Sequence, residues 1–277
     1  MYRLLNAELY KLRKSKSFLT CTIVTVIFVI AMYGMFVLAD NIQNGRMENG
    51  TGGVIVSIQQ ETVEHTSSSI WDTIHVMDIL QEIFSGDVIA VIIGTFISIF
   101  VVSEFAAGML KNVVGKGCKR SLIYLAKLLV SMLAAILIVA AGILTTLVCG
   151  RIFIGTGAFD RSFWENLPIY TGLQLLMLLP LTSIFVLIGE LCRNLAAGIS
   201  IGIGVAAFPA LFLNFVDMKF SGSSITPSQL WPVTRMSACP FEGFSAEYIT
   251  GTLLVAAFWL VLTAGLGIWH FSKTDIK

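Results

Sequence analysis

The densest chemistry in the chain lies between residues 103 and 127. Glu104 closes an apolar run. Lys111, Lys116, Lys119 and Arg120 follow among Gly108, Gly115 and Gly117, and Lys127 opens the next apolar run. A carboxylate, a basic turn and a lysine in that order suit ion pairing and protein docking at a membrane boundary. Covalent chemistry has no comparable support. Residues 115–121 read Gly-Lys-Gly-Cys-Lys-Arg-Ser, which lacks the spacing of a phosphate-binding loop and follows no strand. His65, His75 and His270 are too far apart for metal-ligand spacing, and no His-Glu-x-x-His or Gly-x-Ser-x-Gly occurs. The chain is therefore expected to be no enzyme and to hold no metal or cofactor of its own.

The elements around this stretch must be membrane helices. The 277 residues are 56% hydrophobic and 13% charged, with a mean hydropathy of +0.85. A soluble domain is roughly 25% charged, so this chain lacks the polar surface of one. Uncharged runs cover 17–39, 88–103, 128–150, 166–189, 194–216 and 248–272. All but the second reach the ~20 residues that cross a bilayer core. The second does so by borrowing its flank past Glu104. Lipid offers backbone groups no partner, so each run is read as a helix. The expected fold is an all-α integral membrane protein, one domain over 1–277, with spans at 18–39, 88–110, 128–150, 167–189, 194–216 and 248–271.

Charge placement gives the orientation. Lys and Arg number 13 in the N-terminal segment, residues 103–127, the 190–193 turn and the C-terminus, against 5 in the alternate segments. The positive-inside rule puts the richer set, with both termini, in the cytoplasm. The first run exceeds the 7–15 residues of a signal-peptide core and is read as a retained span. The five cysteines form no framework. They read as small apolar side chains, and only Cys149 and Cys239 share the outer side.

The segments between the spans carry further patterns. Tyr2, Leu5, Leu9 and Leu12 recur at helical spacing, which predicts an amphipathic helix at the cytoplasmic interface. The outer loop 40–87 is acidic. It is turn-like at Asn41, Asn44-Gly45 and Asn49-Gly50, then helical in pattern from Ile70 to Leu80. Ile225, Leu230, Trp231 and Val233 lie in pieces too short to span, which predicts re-entrant or interfacial segments between spans five and six. Pro180 and Pro209 should kink spans four and five. Gly202 and Gly204 should allow close helix packing.

Together these features resemble the membrane subunits of ABC transporters of the ABC-2 type. Glu104, Phe105, Gly108, Lys111, Gly117, Arg120 and Lys127 match that family's motif at the end of span two and the start of span three. Met109 departs from it, where Thr is usual. The opening Ala7–Lys14 and closing Phe271–Asp275 stretches are also similar to the family's. The resemblance implies a permease subunit paired with a second permease, identical or related, and with two copies of a soluble ATPase that holds ATP and Mg. It implies a coupling segment at 111–122, with Glu104, Gly108, Lys111, Lys116, Gly117, Lys119, Arg120 and Lys127 as coupling residues. The chain looks most like the permeases of bacteriocin- and lantibiotic-immunity or peptide-antibiotic resistance systems. That implies export of an antimicrobial peptide, a peptide antibiotic or another amphipathic compound from a bacterial cell membrane. A secondary carrier, or a permease for a small cation, is the alternative; a scarcity of intramembrane charge, with Glu104 the one ionisable residue expected there, disfavours the carrier. The bilayer is an expected partner and nucleic acid is not.

Overall fold

The computed structural model describes residues 2–49, 76–84, 86–106, 119–155, 159, 161–218, 227–241 and 243–273. Among them it is helical, and six helices are long and apolar enough to cross a membrane. Helix α1 (Tyr2–Lys14) precedes the first spanning helix, α2 (Lys16–Asn49). A short helix, α3 (Val76–Ile83), leads into α4 (Gly86–Ala106). Then come α5 (Arg120–Phe153), α6 (Arg161–Cys192) and α7 (Leu195–Asp217). A 3-10 turn (Pro227–Leu230) and helix α8 (Pro232–Ser237) precede α9 (Ala246–Lys273).

Burial sorts the spans into an interior and a rim. Half or more of the apolar windows of α4, α5 and α6 is buried, against 17% for α2 and α7 and 28% for α9. Helix α6 packs on α4, α5 and α9, while α4 also receives α7 and α5 receives α2. Small residues set the closest approaches. Gly94 lies against Phe185, Gly189 against Val101, and Gly198 and Gly202 against Ser98. Of the two glycines expected to promote packing, Gly202 does so and Gly204 faces open space.

Helix α1 is amphipathic as the spacing predicts. Leu12 is buried, and Leu4, Leu5 and Leu9 pack against the core. Its contacts are with α5, so it grips the bundle as well as flanking it. Glu8 is buried and pairs with Lys11 at 2.7 Å. Ser15 breaks α1 from α2, and its Oγ accepts the Phe18 N–H at 3.4 Å.

Two boundaries differ from expectation. The turn-like start of the 40–87 loop is helical as far as Asn49. One interior Gly costs only about 1 kcal/mol, too little to end a long cooperative helix that contains no Pro. The 190–193 turn shrinks to Arg193 and Asn194, because Glu190 belongs to α6. Arg193 takes a left-handed φ of 49°, and Asn194 Oδ1 caps α7 by accepting the Ala196 N–H at 3.1 Å. Pro180 and Pro209 lie inside helices that continue past them. The helical pattern from Ile70 is met from Val76 onward; residues 50–75 lie outside the described residues.

Helix α8 lies in the segment where re-entrant or interfacial pieces were expected. It is buried over Pro232–Met236 and packs on α4 and α6. Irregular backbone at membrane depth survives only where the protein supplies its hydrogen bonds. Side chains of three helices do so here. Gln174 Nε2 donates to Met236 O at 2.9 Å, Gln81 Nε2 to Cys239 O at 3.3 Å, and the Tyr248 hydroxyl to Arg235 O at 3.1 Å. Gly86 lets α4 meet the Val233 carbonyl, where a Cβ would overlap the backbone. Cys149 and Cys239 are free, buried thiols, in keeping with the apolar reading. Burial pushes the Cys239 thiol up from its ordinary value.

Candidate functional site

The basic ends of α5, α6 and α9 meet around one buried ion pair. Lys127 Nζ donates to Glu190 Oε1 at 2.9 Å, with the two side chains 1% and 2% exposed. The sequence places Lys127 two turns into α5 and Glu190 in the last turn of α6. Two antiparallel helices thus bring a cation and an anion to the same depth. Neither charge would be tolerated there alone, because an unpaired buried ion is strongly unfavourable.

Tyr124 and Ser131 lie one turn before and one turn after Lys127, on the same side of α5. Both are fully buried, and neither hydroxyl has a hydrogen-bond partner among the described residues. Tyr124 occupies the notch left by Gly267 of α9, where a Cβ would overlap its hydroxyl. Its ring lies 6.2 Å from that of Phe271. Further along, Thr263 of α9 donates to Ser183 Oγ of α6 at 2.7 Å. Side chains therefore lock α5, α6 and α9 together at the end where the 103–127 stretch enters.

The coupling residues inferred from the sequence fall around this lock unevenly. Lys119 is exposed and precedes α5 in an extended conformation, with φ −61° and ψ 127°. Arg120 opens the helix. Lys127 is in the lock, with Glu190 as a partner. Glu104 belongs to α4, but its side chain lies outside the described residues. Gly108, Lys111, Lys116 and Gly117, and most of the 111–122 segment, lie outside them too.

Sequence reasoning missed Glu190, because a charge was taken to mark the end of a span. The reading that Glu104 alone was ionisable within the spans is corrected by Lys127 and Glu190, which both lie inside spanning helices. The signal that could have found Glu190 was Lys127 itself, one residue before an apolar run as Glu190 is one residue after another.

A bundle of six apolar helices, with basic groups concentrated at one end and a buried ion pair inside that end, has the build of the spanning part of a transporter. The sequence profile described as ABC-2 family transporter protein matches residues 4–208, and the chain belongs to that family. The match runs from α1 through most of α7 and stops short of α8 and α9. The comparison with curated proteins gives no match. The protein is a multi-pass cell-membrane protein and the permease component of an ABC transporter.

Proposed function

We propose that the chain is the permease subunit of an ATP-driven exporter that moves an amphipathic compound, with antimicrobial peptides and peptide antibiotics as the leading class, out of a bacterial membrane or cell. The reading is supported chiefly by the family match over a bundle whose interior carries few charges. A proton- or sodium-coupled carrier would require a series of ionisable groups along its path. Among the described residues the buried ion pair lies at the basic end, where Lys127 and Glu190 engage each other.

ATP hydrolysis is assigned to separate ATPase subunits, two copies for a pair of permeases, with ATP and Mg bound there. The ATPase docks at the basic end, taken as cytoplasmic, through the 111–122 segment. Lys116, Lys119 and Arg120 supply charge for docking, and Gly108, Lys111 and Gly117 shape the turn. Glu104 and Lys127 anchor its two ends in the bundle. Because Lys127 engages α6, a push on the segment reaches α5 and α6 together. Pro180 and Pro209 supply local give in α6 and α7. The second permease, identical or related, covers apolar faces of α2 and α7 that this chain leaves open, such as Ile27 (58% exposed) and Phe208 (69% exposed).

The test uses the assembled complex in liposomes. ATPase stimulation and export are measured against amphipathic peptides and small cations. Replacing Lys116, Lys119 and Arg120 together with Ala should release the ATPase while the permease still inserts. An exposed pair contributes only about 0.2–1 kcal/mol, so single changes are too weak a test. Glu104→Gln should keep assembly but lose transport. Stimulation by small cations and not by peptides would contradict the substrate class.

A further inference from the structure

The short helix α8 carries a charge that the transport reading leaves unused. Arg235 is 6% exposed, and its contacts are with neutral groups. Nε donates to Thr252 Oγ1 at 3.0 Å, one terminal nitrogen to Gln229 O at 3.1 Å, and the other to Tyr248 O at 3.2 Å. Its carbon lies 4.9 Å from the centre of the Tyr248 ring. None of the ion pairs among the described residues includes it. A guanidinium has five N–H donors and stays charged in proteins. Three are used, so two remain. A covered cation without a counter-anion is strongly disfavoured unless an anion completes it.

A second donor is in the same position. Trp231, four residues earlier, is 7% exposed, and its Nε1 has no hydrogen-bond partner among the described residues. Both side chains meet α9, Arg235 at Tyr248 and Thr252, and Trp231 at Trp259 with ring centroids 5.0 Å apart. Gly251 leaves room for the guanidinium, since a Cβ there would stand 2.7 Å from a terminal nitrogen.

The depth identifies the anion. Helix α9 starts at Ala246, so Thr252 lies about 9 Å along it at ~1.5 Å per residue. Counted from a membrane surface at the start of α9, that is the level of the headgroup and acyl boundary. Leu230, Leu254 and Phe258 beside the cluster are 53%, 72% and 61% exposed and face lipid. We propose that Arg235, with Trp231 Nε1 as a further donor, binds the phosphate of a phospholipid in the leaflet opposite the basic end. A planar guanidinium fits phosphate oxygens in pairs, and such charge-assisted bonds are strong. The apolar flank holds the acyl chains. This site is independent of what the transporter carries.

The test takes the full chain, delipidated in detergent, and measures adducts by native mass spectrometry. Dioctanoyl phosphatidylglycerol, dioctanoylglycerol and inorganic phosphate are titrated separately. One phosphatidylglycerol per chain should bind, and dioctanoylglycerol should bind at least about tenfold more weakly. Arg235→Gln should lower phosphatidylglycerol affinity about tenfold or more, and Arg235→Lys less. If Arg235→Gln fails to fold, Gly251→Ala decides: it keeps the cation, pushes the guanidinium aside and should also weaken binding. Equal binding of phosphatidylglycerol by the parent chain and by a folded Arg235→Gln or Gly251→Ala variant overturns the site. Dioctanoylglycerol binding as well as the phospholipid also overturns it. Inorganic phosphate binding as tightly as the lipid overturns the lipid as its source.

Discussion

Removing one member of the Lys127–Glu190 pair should cost far more than removing both. At 2.9 Å and an effective dielectric of 20, the attraction is about 6 kcal/mol. Desolvating each ion costs several kcal/mol, so the intact pair is close to neutral against an apolar pair. Lys127→Met leaves a buried carboxylate, and Glu190→Met leaves a buried ammonium. Each should destabilise by about 3–5 kcal/mol. At roughly 2–4 °C per kcal/mol, Tm should fall by on the order of 10 °C. The double variant should lose far less than the two single losses added, because neither methionine then faces the other's buried charge. The assay is thermal unfolding of the purified chain in detergent, read as loss of the monodisperse elution peak. Losses that simply add in the double variant, with a coupling under about 0.5 kcal/mol, would refute the pairing argument.

Gly267→Ala should destabilise by about 1–3 kcal/mol, because its Cβ runs into the Tyr124 hydroxyl. Tyr124→Phe removes a hydroxyl that has no hydrogen-bond partner among the described residues and should be neutral or mildly stabilising alone. It should also recover part of the Gly267→Ala loss; thermal unfolding of the three variants checks this. Cys239 should resist alkylation in the folded protein, since it is buried and burial pushes its thiol up. The reactive thiolate forms only as pH rises toward that raised value, so labelling should start at higher pH than for an exposed cysteine, as maleimide mass shifts would record.

The spans were legible because lipid removes the alternatives. A long uncharged run has no stable form there except a helix, so all six spans could be read from the absence of charge. The same logic misjudged the ends. Helix α5 starts at Arg120, eight residues before its uncharged run, and α2 continues to Asn49 through Asn44-Gly45. Charge and turn residues do not end a helix whose backbone already continues into water or into a partnered site. Glu190 was hidden for that reason. Arg235 was hidden for another: its partners are backbone carbonyls and a threonine hydroxyl in the turn before it and in α9, and such acceptors leave no trace in composition. The short helix α8 was legible as a piece too short to span. The side chains that satisfy it, Gln81, Gln174 and Tyr248, come from three helices and could be found only once the fold was known.

Purification from native membranes through a tag on this chain, followed by nucleotide hydrolysis assays, tests the central claim most directly. An ABC ATPase should elute with the permease, and hydrolysis should track that subunit and vanish when it is stripped away. Hydrolysis by the stripped chain, or full transport by the chain without any ATPase, would contradict the account.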